Sequence, residues 1–460
     1  MALNIVIMAA GKGTRMKSSL PKVLQRVAGR AMVQHVLDNT SALHADRRIV
    51  ITGHGAEAVE AALQGQAQFA RQMPQLGTGH AIQQTVPLLG DASGTTLILS
   101  GDTPLITEAT TRALVEASAG EKLVLLTIDY SDPTGYGRVV RAGDAVKAIV
   151  EHKDATPEQR QIRECYTGIM AAPTQALKRW VMALNNTNAQ GEFYLTDIVA
   201  MAVAEGLPVV GVKTSNETEV LGVNSPLQLA DLERRFQRQQ AEALMEKSGV
   251  RMADPARFDL RGSLVCGSDV EIDVNCVFEG KVTLGDGVRI GAHCVIRNVE
   301  IKAGARIHEF THIDGEAQGA TVGEGALIGP FARLRPGAQL GAEVHIGNFV
   351  EVKNSTLAKG AKANHLAYLG DATVGERVNY GAGSITANYD GANKHRTVIG
   401  ADVHVGSNCV LIAPVEIGAG ATIGGGSTIT KTVEAGSLAV ARGKQVAIAG
   451  WVRPVKQKKS

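Results

Sequence analysis

A chain of 460 residues is too long for one ordinary core, so two or three domains are expected. The 47 Lys and Arg against 45 Asp and Glu leave a net +2, which gives no broad electrostatic footprint for nucleic acid or an anionic membrane; any phosphate binding must be local. Five cysteines (Cys165, Cys266, Cys276, Cys294, Cys409), odd in number, widely spaced and without a CxxC pair, indicate neither a disulfide framework nor a zinc site.

The apolar start, Met1 to Ala10, has no basic n-region, and no stretch approaches the roughly 18 apolar residues of a membrane span. A cytoplasmic chain without membrane insertion is the expectation. Of the 52 glycines, 21 fall in residues 1–249 and 31 in residues 250–460, so the two halves are built differently.

The first half alternates short apolar runs with amphipathic stretches, the pattern of a mostly parallel sheet covered by helices. Ile5–Met8, Arg48–Ile51, Thr96–Leu99 and Leu123–Leu126 read as buried strands. Behind the first comes Ala9-Ala10-Gly11-Lys12-Gly13-Thr14-Arg15-Met16, with Pro21-Lys22 four residues later. This is neither a Walker A loop nor a dinucleotide fingerprint, because no Gly-Lys-Ser/Thr follows and Met16 stands where the third Gly would be. It still suits phosphate: Gly11 and Gly13 let backbone N–H groups face an anion, Arg15 can grip it in bidentate fashion, and Lys22 adds a point charge.

Residues 226–248 read as a long connecting helix, with Ser225 as N-cap, Pro226 at the first position and Gly249 past the end. Leu229, Leu232, Phe236 and Ala243 would share its apolar face. From about residue 260 aliphatics recur every sixth residue, most continuously through Ile399, Val405, Leu411, Ile417, Ile423 and Ile429. That period fits a three-faced parallel β-helix of 18-residue coils, roughly ten of them at about 4.8 Å per strand. Cys276 and Cys294, 18 apart, would stack as small core fillers. Extra residues between Ile313 and Val322, and the segment Thr386–Thr397, break the period; the second reads as a surface excursion with a functional purpose.

Polar residues interrupt the solenoid pattern at Arg333–Gly337, Glu351-Val352-Lys353, His365–Asp371 and Asn388–Gly391. Among them His365, near Tyr368 in sequence, is the candidate for a general base, because histidine is the side chain whose unperturbed pKa sits near neutrality.

The spelling Met8-Ala9-Ala10-Gly11-x-Gly-Thr-Arg-Met-x₄-Pro-Lys closely resembles the signature of sugar-1-phosphate nucleotidyltransferases. Further matches follow at Gln75–Gly79, Gly101-Asp102, Thr134–Arg138, Glu151-His152-Lys153, Tyr194–Asp197 and Gly222-Val223-Asn224. Together with the hexapeptide solenoid, nearly the whole chain resembles the bacterial bifunctional N-acetylglucosamine-1-phosphate uridyltransferase and glucosamine-1-phosphate N-acetyltransferase family.

That resemblance implies an α/β nucleotidyltransferase domain with a Rossmann-like mixed sheet over residues 1–226, a linker helix at 227–249, and a left-handed parallel β-helix acetyltransferase domain over 250–460. It implies UTP and acetyl-CoA as co-substrates, Mg²⁺ as cofactor and a homotrimer. UTP would lie over Met8, Ala9, Ala10 and Gly11, with the uracil read by Gln72, Gly77 and Thr78. Lys22, with Arg15, would stabilise the transferring phosphate, and Asp102 with Asn224 would hold the metal. Gly137, Glu151 and Tyr166 would meet the sugar, with Ser100 and Gly101 beside the nucleotide. Tyr166 stands where the family pattern has Asn, and Ser100 where it has Tyr; Ser100 is left to contribute through its backbone.

In the second domain the resemblance gives His365 the role of base. Arg335, Lys353, Tyr368, Asn379 and Lys394 would bind the glucosamine phosphate. Ala382, Asn388, Tyr389, Ser407, Gly425 and Arg442 would line the acetyl-CoA channel, with Gly425 in place of a family Ala. The tail residues Arg453, Lys456, Lys458 and Lys459 would either attract CoA phosphates or serve as a solubilising tail. Two other readings stay open on the residues alone: a nucleotidyltransferase of different sugar or base preference, and a nucleotidyltransferase head with a catalytically silent solenoid used for regulation or assembly.

Overall fold

The computed structural model describes residues 1–456, so Lys458 and Lys459 lie outside the described residues. Two compact units divide between Phe236 and Gln237, inside the helix Pro226–Ser248.

The first unit is built on a nine-stranded sheet. Its strands are β1 (Ala2–Met8), β2 (Arg47–Thr52), β3 (Gln68–Arg71), β4 (Gly94–Ser100), β5 (Leu123–Asp129), β6 (Gly137–Ala142), β7 (Ala145–Val150), β8 (Glu164–Pro173) and β9 (Val209–Lys213). The spatial order is β9-β5-β8-β4-β1-β2-β3, with the β6–β7 hairpin carried on the start of β8. All four runs read as buried strands lie in β1, β2, β4 and β5. Ile5, Ile7, Leu97 and Leu99 pack on one face of the sheet and Val6, Ile49, Ile51 and Ile98 on the other, so apolar residues run without alternation.

The antiparallel β8, set between β4 and β5, makes the sheet mixed, as the resemblance implies, although the residues alone did not single the strand out. A strand buried on both faces reads as an apolar run whichever way it points, so its direction leaves no mark on composition. β1 and β4 run in parallel, Met8 opposite Ser100, and their carboxyl ends open onto the loops Ala9–Gly11 and Gly101–Asp102. That is where α/β sheets place ligands.

The helix Pro226–Ser248 starts and stops as expected: Ser225 Oγ accepts from the Gln228 N–H at 3.3 Å, and Gly249 follows with φ +65°. Its buried positions differ from the predicted face. Leu232 is buried, but so are Gln237 and Ala241, whereas Leu229, Phe236 and Ala243 are half-buried. Gln237 tolerates burial because its carboxamide accepts from the Leu260 N–H at 2.7 Å and donates to the Leu260 carbonyl at 3.1 Å.

The second unit is the parallel β-helix. An eleven-stranded parallel sheet runs from Arg251–Met252 to Leu438–Ala439, and a sixteen-stranded sheet covers the remaining faces, the long strands Cys276–Leu284 and Val295–Ile301 turning the corner between them. Every corner aliphatic from Ile399 to Ile429 at six-residue spacing is at most 5% exposed, which explains the period: each one plugs the interior of its coil. Cys276 and Cys294 are fully buried on successive coils, where burial pushes their thiols up to about 11 and about 12 and leaves them inert. Leu411→Ala, emptying a fully buried corner, is expected to cost about 2–5 kcal/mol, read as a lower denaturant midpoint of this unit's unfolding.

Both breaks in the period are insertions into an unbroken register. Ile296 pairs with Ile313, but Ile301 pairs with Val322; Ile385 pairs with Val410. The second excursion is shorter than expected, because Thr386 and Thr397 stay buried in strands and only Asn388–Arg396 departs. One corner also carries His293, Phe310, Phe331 and Phe349 in left-handed conformation, their half-exposed rings stacked at 4.9, 5.0 and 5.5 Å. These separations follow the strand spacing of about 4.8 Å, so the coils themselves hold the ladder.

Candidate active sites

Met8, Ala9, Ala10, Gly11, Lys22, Gln72, Gly77, Thr78, Ser100 and Asp102 line one cavity of about 290 Å³ in the first unit. Such a volume lies at the small end of ligand cavities and suits a nucleoside-sized group. The loop reaches its place because Gly13 takes φ +58°, where a Cβ would meet Lys22 Cβ at 2.7 Å. Gly77 has a similar duty on the far wall, with φ +106° and the Phe193 carbonyl 2.6 Å from any Cβ. Gln72 donates to the Gly77 carbonyl at 2.9 Å, which fixes its carboxamide and leaves Oε1 as an acceptor.

At the cavity floor the Lys22 ammonium is paired with Asp102 and donates to Asn224 Oδ1 at 3.1 Å. Lys22 and Asp102 side chains are only 14% and 17% exposed, so their fields are poorly screened. The Ser100 side chain has a contact that the sequence reading did not assign. Its hydroxyl donates to Asp102 Oδ1 at 2.6 Å across the turn that follows the end of β4 at Ser100. Gly101 sits behind, its N–H on the Met8 carbonyl at 2.9 Å. Arg15 is exposed and outside the cavity lining.

Gly137, Glu151 and Tyr166 form a second cluster, brought together because β6 pairs with the start of β8. Glu151 accepts from Thr196 Oγ1 at 3.1 Å; burial raises its pKa, against the pull of that hydrogen bond. Tyr166 is 8% exposed with a buried hydroxyl that has no hydrogen-bond partner among the described residues, and burial raises its pKa well above the ordinary phenol value. A carboxyl whose pKa is raised by folding contributes stability below its ordinary 4.5 and loses it as pH rises through the folded value. Glu151→Gln is therefore expected to raise the thermal midpoint of this unit, with a gain that grows in calorimetry as pH rises above the ordinary 4.5.

Sequence reasoning gave no role to Gln75, Glu192 and Thr196, although Gln75 and Thr196 lie in the quoted motifs. Gln75 and Glu192 line the cavity, and Thr196 holds Glu151.

In the second unit one column of residues climbs successive coils at a single corner. The Leu366 N–H meets the Asn348 carbonyl, Gly383 meets His365, Asn408 meets Ala382 and Gly426 meets Ser407, so Asn348, His365, Ala382, Ser407 and Gly425 fall in line. Arg442 closes the top, donating to the Gly425 carbonyl at 2.8 Å. His365 Nδ1 lies 3.0 Å from Asn348 Oδ1, an acceptor. The proton therefore sits on Nδ1, and Nε2 keeps the lone pair that a base needs. Asn348 was missed in the sequence: it stands 17 residues before His365, one short of the 18-residue coil read there, and the register is what pairs them.

Arg335, Lys353 and Tyr368 stand on neighbouring rungs of the larger sheet, Tyr368 opposite Glu351, whose carboxylate takes Arg335 at 2.7 Å. Lys353 has its pKa lowered, first by the side chain of Lys394, then by burial and by Arg335. Three cations thus converge. Asn379 lies on the eleven-stranded sheet, between Lys362 and His404. Beneath the excursion loop Asp371 is 7% exposed and takes Asn354 and Asn388, each at 2.5 Å, a buried network that the sequence did not announce. In the described tail, Arg453 and Lys456 are exposed.

A mixed-sheet unit with a glycine-rich loop and a Lys–Asp–Asn floor, together with a hexapeptide solenoid that carries a histidine at one corner, defines a two-part transferase. Comparison agrees. Residues 5–176 match the MobA-like NTP transferase domain, and residues 264–298, 319–354 and 396–431 match the bacterial transferase hexapeptide repeats. The protein called bifunctional protein GlmU in Methylibium petroleiphilum is 73% identical over 99% of this chain and 100% of its own length. Proteins of the same name are 66% identical in Acidovorax sp. (100% of this chain, 99% of theirs) and 56% identical in Bordetella petrii (100% of both).

The chain belongs to the bifunctional GlmU family, the one its motifs resemble. It is a bifunctional transferase.

Proposed function

We propose that the chain makes UDP-N-acetylglucosamine in two steps, one on each unit. Acetyl-CoA and glucosamine-1-phosphate give N-acetylglucosamine-1-phosphate on the solenoid, and UTP then gives the product and pyrophosphate on the first unit, feeding peptidoglycan and lipopolysaccharide synthesis in the cytoplasm. The activities divide at residues 1–226 and 250–460, with 227–249 as the helical connection. What carries this reading is the presence of two chemically different floors: a lysine with carboxylate and carboxamide oxygens on one unit, and a histidine with a free ring nitrogen beside its coil neighbours on the other.

In acetyl transfer the sugar amine attacks the thioester carbonyl, His365 Nε2 takes the amine proton, and the CoA thiolate leaves and recovers a proton from the imidazolium. Asn348 holds the ring in the productive tautomer. Arg335, Lys353, Lys394, Tyr368 and Asn379 would take the sugar phosphate, while Ala382, Asn388, Tyr389, Ser407, Gly425 and Arg442 would take acetyl-CoA along the corner column. An added Cβ at Gly425 would lie 3.4 Å from the Ser407 carbonyl, so Gly and Ala both leave this path open.

In uridylyl transfer the nucleophile is already an anion, so alignment and charge neutralisation are needed rather than a base. A phosphate oxygen of the sugar attacks the α-phosphorus of UTP, and pyrophosphate leaves. Lys22, and Arg15 from its exposed loop, would neutralise the phosphates; Gln72, Gly77 and Thr78 would read the base, and Gly137, Glu151 and Tyr166 the sugar. Asp102 and Asn224 would hold Mg²⁺. Their oxygens converge on the Lys22 ammonium, a donor set that fits a hard cation whose other ligands are water and phosphate. When bound, that ion neutralises charge on the phosphates.

A homotrimer completes the reading. Support comes from the half-exposed ring ladder of the solenoid, a surface of the kind that partners cover. Assaying each half-reaction separately, with glucosamine-1-phosphate and acetyl-CoA or with N-acetylglucosamine-1-phosphate and UTP, tests the proposal; absence of either turnover defeats it.

A further inference from the structure

The excursion Asn388–Arg396 has no apolar core, and polar links alone give it a shape. Its base is anchored where Asn388 donates to the buried Asp371 and the His395 N–H donates to the Asn388 carbonyl at 2.8 Å. Tyr389 and Lys394 pair as antiparallel residues, so the segment is a small hairpin. At its tip Asp390 accepts from the Ala392 and Asn393 N–H groups at 2.8 and 2.6 Å, and its Oδ2 lies 2.6 Å from His395 Nε2. One carboxylate therefore ties the turn to the returning arm, at the residue directly after Lys394. The Asn393 amide first, then His395 and the Ala392 amide, hold the Asp390 carboxyl well below its usual range.

Lys394 needs such a restraint. Its ammonium acts on that of Lys353, which Arg335 acts on as well, and like charges at close range repel. A flexible loop would carry Lys394 away from an empty site, and substrate would then have to order it again. We infer that Asp390 and His395 form a clamp that holds Lys394 in the phosphate cradle before the sugar phosphate arrives, as positioning residues for acetyl transfer. The inference rests on the reading that Arg335, Lys353 and Lys394 bind the phosphate of glucosamine-1-phosphate.

The test is steady-state acetyl-transfer kinetics of the full chain with both substrates varied, for His395→Ala, His395→Gln, Asp390→Asn and Lys394→Ala. His395→Ala and Asp390→Asn should raise KM for glucosamine-1-phosphate by roughly three- to tenfold, the scale of one lost hydrogen bond, with a smaller change in kcat and in KM for acetyl-CoA. His395→Gln, which keeps a donor, should recover most of the loss, and uridylyl transfer should be unchanged in all four. An unchanged sugar-phosphate KM in His395→Ala, while Lys394→Ala raises it, overturns the clamp alone. Equal rises in both KM values for His395→Ala also overturn it, since the loop would then be a general scaffold. An unchanged KM in Lys394→Ala overturns the phosphate-cradle reading and the clamp with it.

Discussion

His365→Ala lowers acetyl transfer by about 10²- to 10⁴-fold, the usual contribution of a positioned base, and leaves uridylyl transfer at the wild-type rate. The effect falls on kcat because the lost group acts on the amine proton during attack and binds neither substrate tightly beforehand. Asn348→Ala produces a smaller loss of the same kind, since the ring keeps its base but loses the acceptor at 3.0 Å that selects its tautomer. Separate assays of the two half-reactions read both. Acetyl transfer that survives His365→Ala undiminished would remove His365 from the mechanism.

Asp102→Ala has the converse effect. Uridylyl transfer falls by about 10²- to 10³-fold or more, as for removal of one preorganised electrostatic group, and acetyl transfer is unaffected. Lys22 loses its carboxylate partner and Ser100 its acceptor, so the floor of the cavity loses both its order and its negative charge. Binding of Mn²⁺, followed by electron paramagnetic resonance with UTP present, weakens in parallel. Ser100→Ala gives an intermediate result, because Asp102 keeps its charge and loses only the 2.6 Å donor that aims it.

Much of this was legible in the residues. The six-residue period identified the solenoid because each corner aliphatic has one geometric place to go, and burial of the run Ile399 to Ile429 follows from it. The glycine-rich loop announced its end of the sheet because a backbone that must approach phosphate excludes Cβ atoms. Strand direction was hidden, since β8 has the apolar content of its parallel neighbours. The stacked rings of Phe310, Phe331 and Phe349 were also hidden: each is a lone aromatic at a left-handed corner, and only coil stacking brings them to 5.0 and 5.5 Å.

Within the sites, residue types were easier to read than their partners. The family motif marks Asp102, yet the side-chain role of Ser100 depends on a turn whose geometry two residues do not specify. His365 stood out from an apolar background, whereas Asn348 looked like one more polar corner residue until the register placed it one coil below. The Asp371 network and the Asp390–His395 contact have the same origin, since both form only when the excursion folds back on the solenoid.

The proposed reading puts two independently acting catalytic sites on one chain. Its most direct test mixes purified His365→Ala and Asp102→Ala variants with glucosamine-1-phosphate, acetyl-CoA, UTP and Mg²⁺, and follows UDP-N-acetylglucosamine. Product should form in the mixture and be nearly absent with either variant alone. A mixture that forms none would contradict two independent sites.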